Sequence, residues 1–74
     1  MKEVNAFLGE KGYAYDSHFR KETGDAMDFF RSDSRITIVK LVDKYQVMVY
    51  DGKMIQRSDQ PTEHFVVEYL KGIL

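Results

Sequence analysis

Three observations predict an α+β fold in which a three- to four-stranded antiparallel β-meander is flanked by an N-terminal and a C-terminal α-helix. The stretch Arg35 to Arg57, RITIVKLVDKYQVMVYDGKMIQR, concentrates β-branched and aromatic residues and is broken at Val42-Asp43-Lys44 and again at Asp51-Gly52. Asp-Gly between two alternating runs is a strong hairpin signal, because both central residues of a type I′ turn need positive φ. At both ends of the chain, apolar residues recur instead at the i, i+3, i+4 spacing of a helix with one buried stripe. The expected order is helix, three or four strands, helix.

Over residues 2 to 11, Val4, Phe7, Leu8 and Lys11 fall on one side with Met1 beside them, which predicts a short amphipathic helix. Gly9 weakens its interior by about 1 kcal/mol relative to alanine, and Gly12 is placed to stop it. Tyr13-Ala14-Tyr15 suits the start of an edge strand, after which DSHFRKETGD reads as a polar loop ending at Gly24-Asp25. Ala26 to Ser32 reads as a strand, and Ser32-Asp33-Ser34 as the turn into the meander. Phe29 and Phe30 are adjacent, so in a strand they point to opposite faces and both faces carry apolar surface.

The meander itself gives the same result. With tight turns at Asp43-Lys44 and Asp51-Gly52, one face carries Ile36, Ile38, Val42, Tyr45, Val47, Val49 and Met54. The other carries Val39, Leu41, Met48, Tyr50 and Ile55, diluted by Thr37, Gln46, Lys53 and Arg57. A sheet with one wet face alternates cleanly between apolar and polar residues, and this one does not. Either one helix covers each face, or both helices pack on one face and the other meets a partner. In the C-terminal helix Pro61 suits the first turn, Ser58 or Asp59 can cap, and Glu63 favours the positive end of the dipole. Phe65, Val66, Tyr69, Leu70 and Ile73 form its apolar stripe, with His64, Glu68 and Lys71 opposite.

Seventy-four residues make one domain, and a domain of this size hides only about 60% of the surface its unfolded chain exposes. Its core supplies roughly 3 to 5 kcal/mol, and small proteins commonly add disulfides, a metal or a second subunit. The chain has no cysteine, which excludes disulfides and thiolate zinc sites and leaves oligomerisation as the available staple. Eleven basic and twelve acidic residues give a net charge of -1, so no bulk electrostatic drive toward nucleic acid or anionic lipid exists. The opening MKEVNAFLGEKG contains Glu3 and Glu10 and no apolar run typical of a signal peptide, and no segment approaches eighteen consecutive apolar residues. The expected compartment is the cytoplasm.

No catalytic, nucleotide or metal motif is present in the sequence. His18 and His64 are the only histidines, neither with a second ligand at metal spacing, and His64 falls on the outer side of its helix. There is no Gly-x-Ser-x-Gly, no glycine-rich phosphate loop and no clustered carboxylate pair. The expectation is a non-enzymatic chain with no cofactor and no metal. Tyr50 with Lys53 and Arg57 makes a basic and aromatic mixture of the kind that stacks bases, but Asp28, Asp43 and Asp51 lie along the same strands and turns and the RRM signature is absent.

The order helix, three strands, helix is also that of double-stranded-RNA-binding domains and of small HicA-type ribonuclease toxins. The opening Phe7-Leu8-Gly9-Glu10-Lys11-Gly12-Tyr13 followed by Ser17-His18 resembles the start of those toxins, whose catalytic histidine follows a Gly-Ser pair on the first strand. That resemblance implies His18 as a catalytic candidate. It covers about a dozen residues, Asp16 stands where the glycine belongs, and the basic character of the toxins is missing. The reading that the residues favour is a small protein-interaction module, binding its own copy as a homodimer or binding and inhibiting another protein, as accessory proteins of phages and mobile elements do. Val39, Met48, Tyr50 and Ile55 are the expected contact residues. A nucleic-acid binder or small ribonuclease is the alternative.

Overall fold

The structure, a computed structural model, describes residues 1–16 and 26–74. The polar loop expected through Asp25, with Ser17 and His18, lies outside the described residues from position 17 onward. The element order is α1 (Lys2–Glu10), β1 (Ala14–Tyr15), β2 (Ala26–Arg31), β3 (Ser34–Lys40), β4 (Tyr45–Tyr50), β5 (Ile55–Gln60) and α2 (Glu63–Ile73). The strands form one antiparallel meander in the order β1-β2-β3-β4-β5. The α+β class with flanking helices is therefore as the sequence predicts. The sheet has five strands rather than three or four, because Ala14–Tyr15 pairs with Phe29 and Phe30 as a two-residue edge strand.

Both helices pack on one face of the sheet. Val4 and Leu8 from α1 and Val66, Val67 and Leu70 from α2 form a single core with Phe29, Ile36, Ile38, Val47 and Val49. The strand residues in that core are cross-strand partners, Phe29 with Ile36, Ile36 with Val49 and Ile38 with Val47, so they share one face. Met1, Phe7, Met27, Tyr45 and Tyr69 pack around its rim.

Helix α1 is closed at both ends by other parts of the chain. At its C-terminus Lys11 is the cap, Gly12 adopts φ +86, Gly12 N–H donates to the Gly9 carbonyl at 3.1 Å and Tyr13 N–H to the Leu8 carbonyl at 3.0 Å. This is the Schellman pattern, and the buried Tyr13 and Leu8 supply its hydrophobic contact. At its N-terminus Met1 provides no side-chain cap, and the Val4 N–H donates instead to Glu63 Oε2 at 3.0 Å. The Glu63 carboxylate in the first turn of α2 thus satisfies a donor that α1 leaves open.

Several local expectations shift. The β3–β4 turn centres on Val42-Asp43, with Leu41 N–H donating to the Lys44 carbonyl at 2.8 Å, one residue earlier than Asp43-Lys44. The β4–β5 turn centres on Gly52-Lys53, with Asp51 N–H donating to the Met54 carbonyl at 3.2 Å, one residue later than Asp51-Gly52. Gly52, at φ +100, takes the first central position, where type II′ turns need glycine. Asp51 Oδ1 accepts from the N–H groups of Lys53 and Met54 at 3.0 and 2.9 Å, an Asx turn that outcompetes the Asp-Gly register. Val42 and Met54, expected on the buried face, are exposed in these turns. Strand β5 runs on to Gln60, so Ser58 and Asp59 belong to the sheet and Thr62 becomes the α2 cap, accepting from Phe65 N–H at 3.2 Å. Pro61 precedes that cap. The buried stripe of α2 is Val66, Val67 and Leu70, with Phe65 half exposed on its flank.

Gly12→Ala should cost about 1 to 2 kcal/mol because a Cβ resists the left-handed conformation, whereas Gly9→Ala, in an open helical position, should stabilise by about 0.5 to 1 kcal/mol. Chemical denaturation of both variants measures this contrast. Backbone N–H donors from Met54 and Lys53 hold the Asp51 pKa below its ordinary value. A lowered folded pKa means that the stabilisation is present above the unfolded value and is lost as pH falls through the folded one. Asp51→Asn should therefore melt below the wild type near neutral pH, and the gap between their melting temperatures should close below about pH 4.

Candidate functional site: the uncovered sheet face

The face turned away from the helices is laid out by strand register. Its outermost row across four strands is Phe30, Arg35, Tyr50 and Ile55. The next is Asp28, Thr37, Met48 and Arg57, and the third is Ala26, Val39, Gln46 and Asp59. Phe30, Tyr50 and Ile55 are 40%, 42% and 57% exposed, and Val39 and Met48 are half-buried. The four expected contact residues, Val39, Met48, Tyr50 and Ile55, thus lie together on this face. Tyr50 is held over the adjoining turn by its hydroxyl, which donates to the Gly52 carbonyl at 3.1 Å. A shallow depression between β4 and β5 is lined by Gln46, Met48, Arg57 and Asp59.

A polar cluster occupies the β1 side of the face. Asp28 is only 1% exposed and is the one buried charged residue among those described. Its carboxylate accepts from Thr37 Oγ1 at 2.7 Å and from Arg35 Nη1. The same guanidinium reaches Asp16 Oδ2 at 3.0 Å and stacks over the Phe30 ring, 5.6 Å from its centre. Asp16 and then Asp28 raise the Arg35 pKa above its ordinary value, so the guanidinium stays charged. At the opposite corner Lys44 pairs with Asp59 at 2.9 Å, and that carboxylate raises the Lys44 pKa.

Among the described residues the charges on this face balance. Arg35, Lys44 and Arg57 supply three cations, and Asp16, Asp28 and Asp59 supply three carboxylates. Lys53 sits in the turn, where it faces Asp51. The basic and aromatic mixture seen in the sequence is therefore interleaved with acids in space as well. Sequence reasoning missed Phe30, Arg35 and Asp28 as members of the face. Only the adjacency of Phe29 and Phe30 signalled them, since the Asp28–Arg35 pairing needs the β2–β3 register.

The remaining candidates are dispersed. His64 is exposed and packs edge-on against Phe65 at 5.8 Å, and His18 lies outside the described residues. Among the described residues no group of three His, Asp or Glu side chains could hold a metal ion, and no helix is long and apolar enough to cross a membrane. Comparison of the chain with protein-family models, curated proteins and solved structures finds no match.

Arg35→Leu should destabilise the protein by about 2 kcal/mol, since it strands a buried carboxylate. The double variant Asp28→Leu/Arg35→Leu should lose less than the sum of the two single changes, because once the Asp28 carboxylate is gone the loss of Arg35 no longer leaves a buried charge uncompensated. Urea denaturation of the three variants completes this double-mutant cycle.

Proposed function

We propose that this chain is a small, non-enzymatic, cytoplasmic protein-interaction module that uses its uncovered sheet face to bind another protein. The carrying observation is that both helices lie on one face, leaving Phe30, Tyr50, Ile55, Met48 and Val39 on the other. Contiguous exposed apolar surface on so small a protein usually marks an interaction site. Aromatic residues and methionine suit such a contact, the rings as rigid anchors and Met48 as an adaptable filler. The polar cluster around Asp28 and the Lys44–Asp59 pair would frame the contact and fix its orientation.

Phe30, Arg35 and Tyr50 in one row also favour a second reading, a surface for stacking single-stranded nucleic acid. The balanced charge of the face weighs against it, because phosphate binding draws its affinity from excess cations. Binding and inhibition of a host protein, in the manner of a phage or mobile-element accessory protein, is one role open to the module.

Affinity capture from the lysate of the source cell, with and without nuclease, separates the two readings. A stoichiometric protein that survives nuclease supports the module; material lost with nuclease and released by salt supports nucleic acid. Met48→Lys/Ile55→Lys should abolish the protein capture while far-UV circular dichroism and cooperative melting persist, since lysine stems can lie along the sheet with their charges in water. Collapse of the fold in that variant would show the face to be internal core and remove the proposal.

A further inference from the structure

Among the described residues strand β5 ends the sheet with a free edge six residues long, Ile55–Gln60, exposed at Ile55, Gln56, Arg57 and Asp59. The hydrogen-bond phase of that edge follows from the turn. Asp51 and Met54 form a hydrogen-bonded pair, so pairs alternate along the ladder and the N–H and C=O groups of Ile55, Arg57 and Asp59 point outward. We infer that this edge pairs antiparallel with the β5 edge of a second copy, centred on Ser58, to make a ten-stranded dimer sheet.

The register is selected by charge. Outward groups must face outward groups, which allows only pairings that place one of the residues 55 to 59 opposite its own copy. Centring on Arg57 or on Asp59 sets like charges against each other, and centring on Ile55 or Gln56 leaves little ladder. Centring on Ser58 places Arg57 opposite Asp59 of the other copy twice, in hydrogen-bonded pairs with side chains about 5 Å apart. Among the described residues Arg57 makes no ion pair within the protomer, while Asp59 already holds Lys44 and a carboxylate can accept at both oxygens. Charged residues ordinarily protect an edge strand from self-association, but here they are self-complementary. Pro61 falls opposite Ile55 and, lacking an N–H, ends the ladder there.

Helix α2 adds a second contact across the same axis. Glu63 reaches α1 from one flank of α2, and at about 100° per residue Phe65 and Tyr69 lie roughly 200° and 240° further round, on the flank away from α1. α2 packs over β4 and β5, so that flank overhangs the free edge, and Phe65 is 50% exposed on it. Phe65 would meet the equivalent helix of the second copy.

This inference is independent of the open-face reading, and sedimentation equilibrium over a range of concentrations tests it. The wild type should associate reversibly to a dimer, more weakly as salt rises. Arg57→Asp and Asp59→Arg each create two like-charge pairs and should weaken dimerisation about tenfold or more. An equimolar mixture of these two variants should restore it as a heterodimer, which a misfolded variant could not do. A wild type that stays monomeric at millimolar concentration, or a dimer indifferent to both exchanges, overturns the inference.

Discussion

Neither helix of this chain is wide enough to cover its sheet alone. A helix about 10 Å across spans about two strands set about 4.8 Å apart, and this sheet has five. One helix on each face would leave both faces half bare and split the core into two small clusters. Side by side, α1 and α2 close a single cluster and also pack against each other, with the Glu63 carboxylate joining the start of one helix to the start of the other. The uncovered face follows from that choice. It is the surface that neither helix covers, and among the described residues no other element lies over it.

The grouping of residues by face was legible in the sequence because it depends on strand parity rather than on register. Moving the β3–β4 turn from Asp43-Lys44 to Val42-Asp43, or the β4–β5 turn from Asp51-Gly52 to Gly52-Lys53, slides the pairing by two residues and leaves every side chain on its own face. Val39, Met48, Tyr50 and Ile55 therefore stayed together, while Val42 and Met54, which depended on the turn itself, moved into solvent. Register had to be known for the rest. The row Phe30-Arg35-Tyr50-Ile55 and the contact of Asp28 with Arg35 and Thr37 exist only in the observed pairing. Strand β5 was cut short for another reason: IQRSDQ carries no apolar alternation, because an edge strand at the margin of the helix layer has little to bury, and that error moved the α2 cap to Ser58 or Asp59.

Apolar and ionic residues on the open face would contribute differently to the proposed contact. A flat face made only of Phe30, Tyr50, Met48 and Ile55 would associate with little discrimination. Asp28, buried and bonded to Arg35 and Thr37, is stable only while all its partners hold their places, so it resists any pairing that displaces them. In the proposed contact, the balance of the described charges would suit a partner of either sign, while their fixed positions would specify the orientation of approach.

Strand β1 shows how the two faces are tied together. Two residues of ladder are too few to hold an edge strand, yet Ala14–Tyr15 lies in register with β2. On the helix side Arg31 donates to the Lys11 carbonyl and stacks on the Tyr13 ring, 4.6 Å from its centre. On the open side Arg35 holds Asp16, whose N–H also donates to the Asp28 carbonyl at 2.8 Å. These arginines flank the Ser32-Asp33 turn of one hairpin, so a single rigid element grips β1 from both faces. The polar cluster on the open face is thus also a structural clamp, and a partner that contacts Arg35 or Asp16 would act on the attachment of β1, and through Tyr13 on the end of α1. The uncovered face is thereby joined to the N-terminal helix by covalent continuity and two arginine contacts, a route that does not pass through the core.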